Sequence, residues 1–161
     1  MKIILAVDEN FAIGKDNKLL FHISEDLKHF KKTTLNSIVI MGRKTYESMG
    51  GALPKRDNLI LTRNKDYKAD DAKVFTDKED ILTYVKNNPD KEAFVIGGGE
   101  IVNIFLDDCD EAIITKVMEK VEDADIYLHN FDKDPDFDLV EESDIKEEDG
   151  VKFIYVIYRR K

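Results

Sequence analysis

The stretch Val39-Ile40-Met41-Gly42-Arg43-Lys44-Thr45-Tyr46-Glu47-Ser48 passes from a branched apolar run, through one glycine, into a basic segment suited to a helical turn. A short uninterrupted apolar run bounded by glycine is the pattern of a strand covered on both faces. A helix starting just beyond it offers free backbone N–H groups and the positive end of its dipole. The same passage recurs at Phe94-Val95-Ile96-Gly97-Gly98-Gly99-Glu100-Ile101. Strand, glycine and helix in succession indicate a parallel α/β sheet, whose ligands bind beyond the carboxyl ends of the strands.

Outward from these two passages the alternation continues. Ile3–Val7, Ser37–Met41, Asn58–Thr62 and Ala93–Ile96 read as buried strands. Ser24–Leu35 has helical period, with Ile23, Leu27, Phe30 and Thr34 along one face. Thr76-Asp77-Lys78-Glu79 is a capping box that opens a helix through Ile81, Leu82 and Val85, and Ile101–Leu106 supplies another short helix. After Cys109 come strands Ala112–Val117, Phe137–Val140 and Val151–Arg159 with short connections, which implies antiparallel pairing. The expected fold is one α/β domain over residues 1–161. It has a mostly parallel central sheet of about eight strands, an antiparallel C-terminal strand and about four flanking helices.

Composition narrows the function classes. The chain has 161 residues, 42% of them hydrophobic, enough for one core without disulfides. Its single cysteine, Cys109, permits no intrachain disulfide and fits a reducing compartment, so the cytoplasm is expected. The opening apolar run stops at Asp8-Glu9, too soon for a signal peptide or a membrane span. A net charge of −9 argues against nucleic acid or an anionic membrane as partner. An anionic ligand must therefore be held by local cations and helix starts. Gly42-Arg43-Lys44-Thr45 is one such place, and Gly97-Gly98-Gly99 another, where backbone can approach a pyrophosphate closely. A basic surface turn and a ligand-free tight turn explain the same two stretches.

Asp26 falls between Ile23 and Phe30 on the apolar face of its helix. A carboxyl in that setting has a raised pKa and can act as an acid or as an anchor for a polar ring. If Ser24 caps the helix, Asp26 also sits in the first turn, where an acid simply complements the dipole. His22, His29 and His129 have no nucleophile at a suitable spacing and are assigned to surface or packing. Asp132, Asp134, Asp136 and Asp138 alternate like a calcium loop, but Phe137 and Ser143 stand where its glycine and final glutamate belong, so no metal site is expected. Glu141–Asp149 reads as an exposed connection.

Taken in order, Gly42-Arg43-Lys44-Thr45-Tyr46-Glu47-Ser48-Met49, Leu53-Pro54-Lys55-Arg56-Asp57-Asn58, Leu61-Thr62-Arg63 and Val95-Ile96-Gly97-Gly98-Gly99 resemble the successive signatures of the dihydrofolate reductase family. Ala6-Val7-Asp8, Ile13-Gly14-Lys15-Asp16-Asn17 and Asp26-Leu27-Lys28-His29-Phe30 extend the resemblance to the start. The resemblance implies NADPH-dependent reduction of 7,8-dihydrofolate to 5,6,7,8-tetrahydrofolate, which supplies one-carbon metabolism. Hydride would pass to pterin carbon 6 and a proton to nitrogen 5.

By the same resemblance Asp26 pairs with the pterin, Thr115 braces it, and Phe21 stands nearby where the family more often has Trp. Ile4, Ala6, Leu27, Phe30, Met49 and Leu53 line the substrate, and Arg56 clamps its glutamate carboxylate. Ala6, Ile13, Gly14, Gly42 and Thr45 contact the cofactor, with Arg43 and Lys44 at its 2′-phosphate. Leu61, Thr62 and Arg63 flank that phosphate, and Ile96, Gly97, Gly98, Gly99, Glu100, Ile101 and Val102 complete the cofactor side, with a cis peptide at Gly97-Gly98.

Asn10–Leu20 corresponds to a lid over the nicotinamide. Expected partners are dihydrofolate, NADPH and antifolate inhibitors, with no nucleic acid, membrane or metal, and the chain is expected to act as a monomer. Three places depart from the family's pattern besides Phe21. Val102 replaces a frequent Tyr, Glu100 stands where some members carry a cation, and Val121–Asp125 lacks a common glycine. Two alternatives stay open. One is a reductase of riboflavin synthesis on the same fold, lacking the Asp26 and Arg56 pairing. The other is a non-catalytic nucleotide-binding module, which would have no reason to bury Asp26.

Overall fold

The computed structural model describes residues 1–15 and 18–161; Asp16 and Asn17, part of the expected lid, lie outside the described residues. The elements run β1 (Lys2–Val7), β2 (Ala12–Lys15), β3 (Lys18–Leu19), α1 (Ser24–Thr34), β4 (Ile38–Gly42), α2 (Arg43–Ser48), β5 (Asp57–Leu61) and β6 (Lys73–Phe75). Then follow α3 (Lys78–Lys86), β7 (Ala93–Gly97), α4 (Gly99–Phe105), β8 (Glu111–Val117), β9 (Ile126–Tyr127), β10 (Phe137–Glu142), β11 (Lys146–Glu148) and β12 (Val151–Arg160).

A nine-stranded sheet has the order β10-β12-β8-β1-β7-β4-β5-β6, with β11 also paired to β12. Strands β8, β1, β7, β4, β5 and β6 are mutually parallel, whereas β12 runs antiparallel to β8, β10 and β11. This is the expected mostly parallel sheet with an antiparallel C-terminal strand. Ile38, Val39, Ile40 and Met41 of β4 are all 0% exposed, because helices cover both faces of the central strands. Each such side chain contributes about 1.5–3 kcal/mol of burial, which holds the glycine turn after β4 in place. One face packs Ile81, Val102 and Phe105 against the sheet, and the other packs Phe30, Tyr46, Met49 and Leu53.

Local differences from the sequence reading have physical causes. The box expected to begin at Thr76 is capped instead by Asp77, whose carboxylate accepts from the Glu79 N–H at 2.9 Å. Glu141–Asp149 is not a plain connection: it carries the end of β10 and all of β11. The small sheet β3-β2-β9 was not legible, its strands being only two to four residues long. No described helix is long and apolar enough to cross a membrane.

Candidate active site

Helix α1 opens without a side-chain cap of its own. Ile23 occupies the N-cap position and is 6% exposed, so Ser24 is not the cap expected from the sequence. The open N–H groups of Ser24 and Glu25 donate instead to the carboxylate of Glu148, at 2.7 and 3.0 Å, from the distant strand β11. A carboxylate there satisfies the orphan donors and complements the dipole. These bonds and the hydrogen bond to Phe30 O from the Thr34 hydroxyl define the helix that carries the acid.

One turn into that helix Asp26 is half-buried, and the hydroxyl of Thr115 donates to its Oδ1 at 2.6 Å. Burial raises the Asp26 pKa above the ordinary carboxylate value; the Thr115 bond and the nearby His29 oppose this, and Glu25 adds to it. Both readings of Asp26 therefore apply at once: it lies in the first turn, and its carboxyl is drawn inward. Thr115 sits on β8, paired with Ala6 of β1 on one side and Tyr155 of β12 on the other.

Beside Asp26, Phe30, Met49 and Leu53 pack on the cluster that contains Ile4. Leu27 is 43% exposed, on the helix surface next to the acid. Phe21 packs with Ile23, Val117 and Phe153. Arg56 donates from Nε to Pro54 O and from Nη1 to the Thr34 hydroxyl, both at 3.0 Å, which aims the guanidinium and leaves Nη2 without a protein partner among the described residues. Burial lowers its pKa. Sequence reasoning missed Asn58, which is 5% exposed and holds the Leu53–Asn58 turn by bonds to the Leu53 N–H and to the Leu53 and Arg56 carbonyls. An Asn closing a turn that contains Pro54 was the available sign.

Across β1 lies a groove of about 710 Å³. Ile13 and Gly14 of β2, Gly42, Arg43, Lys44 and Thr45 after β4, and Leu61, Thr62 and Arg63 after β5 line it. Ile96, Gly97, Gly98, Gly99, Glu100 and Ile101 form its floor after β7. Two expected cofactor residues do not line it. Val102 is fully buried in the core cluster that the groove-lining Ile13 and Ile101 also join, and one 100° step of helix beyond Ile101 keeps it off the groove. Ala6 faces neither the groove nor that core; its neighbour Leu5 lines the groove instead, because successive strand residues alternate sides. Ser48, Thr76, Lys78, Ile104 and Ile126 also line the groove and were missed. Ser48 lies one helical turn after Thr45, a spacing that could have pointed to it. Asp26 does not line the groove; strand β1 links the two, with Leu5 on the groove and Ala6 beside Thr115.

The glycine turn is built for close approach. Gly97 has φ 128°, the Gly97-Gly98 peptide is cis, and a Cβ on Gly99 would lie 2.6 Å from the Tyr127 carbonyl oxygen. The Thr45 hydroxyl lies 3.7 and 3.9 Å from the places that Cβ atoms on Gly97 and Gly98 would take. Arg43 is partly engaged, with Nε on Glu47 at 2.9 Å and the guanidinium 4.5 Å above the Tyr67 ring. Arg63 pairs with Glu100 at 2.8 Å at the exposed rim.

Residues 1–160 match the family described as Dihydrofolate reductase. The chain belongs to the dihydrofolate reductase family. Among its relatives are the dihydrofolate reductase of Staphylococcus haemolyticus, 34% identical over 155 residues that cover 94% of this chain and 86% of that one. That of Buchnera aphidicola subsp. Baizongia pistaciae is 33% identical over 160 residues, covering 99% and 95%. A solved structure of dihydrofolate reductase from Enterococcus faecalis, complexed with NADP(H) and RAB-propyl, superposes with a TM-score of 0.89 at 31% identity, covering 99% of this chain and 95% of that one. One departure from the dihydrofolate reductase pattern is explained by the backbone. Asp123, in the loop lacking the common glycine, has φ 61°, a conformation that Asp tolerates better than most residues. Glu100, where some dihydrofolate reductases carry a cation, neutralises Arg63.

Proposed function

We propose that the chain binds NADPH in the glycine-floored groove and 7,8-dihydrofolate beside Asp26, and reduces the latter to tetrahydrofolate. The observation that carries this reading is the half-buried Asp26 carboxyl, tied to Thr115 and separated from the groove only by strand β1. The residues present fit the cofactor. A turn in which a Cβ on Gly99 would meet the Tyr127 carbonyl oxygen at 2.6 Å lies beside the Thr45 hydroxyl, and Arg43 and Lys44 line the same groove in a chain that is otherwise acidic. Cations grouped at one point favour a 2′-phosphate over a hydroxyl. When bound, NADPH supplies the hydride that pterin carbon 6 takes up.

The chain's own residues do the rest. Asp26 accepts from the pterin 2-amino group and ring nitrogen 3, and this pairing polarises the ring toward protonation at nitrogen 5. Thr115 holds that carboxyl in one orientation, and Phe21 packs close to the start of the same helix. Ile4, Phe30, Met49 and Leu53 give the ring an apolar wall, with Leu27 and Ala6 at its edge. Arg56 meets the substrate's glutamate carboxylate with the guanidinium edge that Pro54 and Thr34 leave open. Ile13 and Gly14 line the groove from β2 and help to exclude water there. The lone, buried Cys109 fits a cytoplasmic enzyme, and antifolate inhibitors are expected to compete with dihydrofolate beside Asp26.

A spectrophotometric assay of NADPH oxidation, with and without dihydrofolate, tests the reading. Loss of NADPH absorbance that depends on dihydrofolate is expected; its absence overturns the assignment.

A further inference from the structure

On the side of Asp26 away from the groove, α1 meets the sheet through two rings. The imidazole of His29, one helical turn after Asp26, lies 4.2 Å from the ring of Tyr155, tilted by 32°. Tyr155 stands directly opposite Thr115 in the β8–β12 ladder, so its side chain emerges on the same face as the hydroxyl that holds Asp26. The Nε2 atom of His29 and the hydroxyl of Tyr155 are both enclosed, and neither has a hydrogen-bond partner among the described residues. Enclosed polar atoms are ordinarily paired, so two unpaired ones in contact behind a functional carboxyl call for an explanation.

We propose that His29 is a positioning residue for Asp26, held by Tyr155, and that the charge on its imidazole governs how readily the Asp26 carboxyl keeps its proton. The proposal rests on the assignment of Asp26 as the pterin-facing acid.

The surroundings support it from each element packed there. On α1, His29 faces Asp26, Glu25 and Lys32; burial lowers its pKa, Asp26 and Glu25 raise it, and Lys32 lowers it. On β12, Tyr155 offers a neutral partner, since burial foremost, with Asp26, Glu25 and Glu148, pushes its phenol up to about 12. On β8, Thr115 contributes a hydroxyl without charge. On β11, Lys146 lies 5.9 Å above the Tyr155 ring and 3.9 Å from Glu25, and Glu148 caps the helix. The imidazole is therefore the group on this face whose charge can change, and burial moves its titration down toward that of the Asp26 carboxyl, which burial moves up. Its protonated form stabilises the Asp26 carboxylate; its neutral form does not.

Two measurements test this. The imidazole of His29 is titrated by NMR in the ligand-free protein, wild type against Asp26→Asn. Because the coupling is reciprocal, loss of the carboxylate lowers the His29 midpoint, by about half a pH unit. The pH dependence of kcat/KM for dihydrofolate is then measured for His29→Gln. Removing the cation raises the Asp26 pKa, so the falling limb moves to higher pH by a similar amount, and Tyr155→Leu moves it the same way while Tyr155→Phe, which keeps the ring, restores the wild-type position. A His29 midpoint that ignores Asp26→Asn, or a falling limb that ignores His29→Gln, overturns the proposal. The NMR coupling does not depend on catalysis, so full turnover by Asp26→Asn at neutral pH would sink the role of Asp26 while leaving the coupling intact.

Discussion

Thr115 and Asp26, 89 residues apart in the chain, are joined by a 2.6 Å hydrogen bond in which the hydroxyl donates to the carboxyl. Thr115 is 4% exposed and belongs to a fully paired strand, so its position is set by the sheet. The acid on the helix thereby inherits the rigidity of β8 and keeps a fixed distance from the groove across β1.

Replacing Asp26 by Asn keeps the shape and removes the titrating group. Turnover at pH 7 is expected to fall by about a hundredfold or more, and by much less below about pH 5, where dihydrofolate is itself partly protonated. Stability moves the other way. Burial raises the folded-state pKa of Asp26, so the native chain binds more protons than the unfolded one, and stability falls as pH rises from the unfolded to the folded value. The variant loses this cost and should melt higher than wild type at neutral pH, with the gap closing in acid. A pH series of thermal melts beside the rate profile checks both signs; a uniform, mild rate loss counts against the role of Asp26.

For Thr115→Val the hydroxyl is lost at nearly constant volume. The bond favours the ionised carboxyl, so its removal should raise the Asp26 pKa further and weaken transition-state binding by about 1.5–3 kcal/mol. Thr115→Ser, which keeps the donor, should recover most of the activity. The comparison of kcat/KM profiles for the two variants decides it; equal losses would deny the hydrogen bond its role.

Arg43→Ala should weaken NADPH by about tenfold or more while changing NADH little, since a charge-assisted bond to the 2′-phosphate is what is lost. Fluorescence titration with both cofactors measures the ratio. Equal weakening would place the phosphate elsewhere in the groove, nearer Lys44 or Arg63.

Gly99→Ala inserts a methyl 2.6 Å from the Tyr127 carbonyl oxygen, a backbone atom that cannot swing aside. The clash is expected to cost about 1–3 kcal/mol of stability and to loosen cofactor binding as α4 shifts off the groove floor. Thermal unfolding and NADPH affinity should therefore change together; an unaltered melting temperature would show that β9 yields freely.

Much of the site was legible because its parts are local. The glycine turns at Gly42 and Gly97–Gly99 follow apolar strands that announce themselves, and a helix start after such a strand lies at the sheet's carboxyl end in any parallel α/β arrangement. The missed residues lack that property. Asn58 acts through a turn closed by its side chain, and Lys78 and Ile126 reach the groove only because α3 and β9 are folded across it. Val102 does not line the groove, because a single 100° step around a short helix separates it from Ile101, which does.

What the chain determines by itself are short-range matters: which runs are strands, where glycine permits a positive φ or a close approach, and that a helix opens within Thr76–Glu79, all decided by contacts within a few residues. What only the tertiary structure decides is which distant groups satisfy the open ends. Glu148 caps α1 from β11, Thr34 aims Arg56, Thr115 orients Asp26, and Tyr155 seats His29. Each of these four pairings joins residues that the tertiary fold brings together, and none can be read from spacing along the chain, because the hydrogen bond or ring contact forms only after the sheet has set the distance.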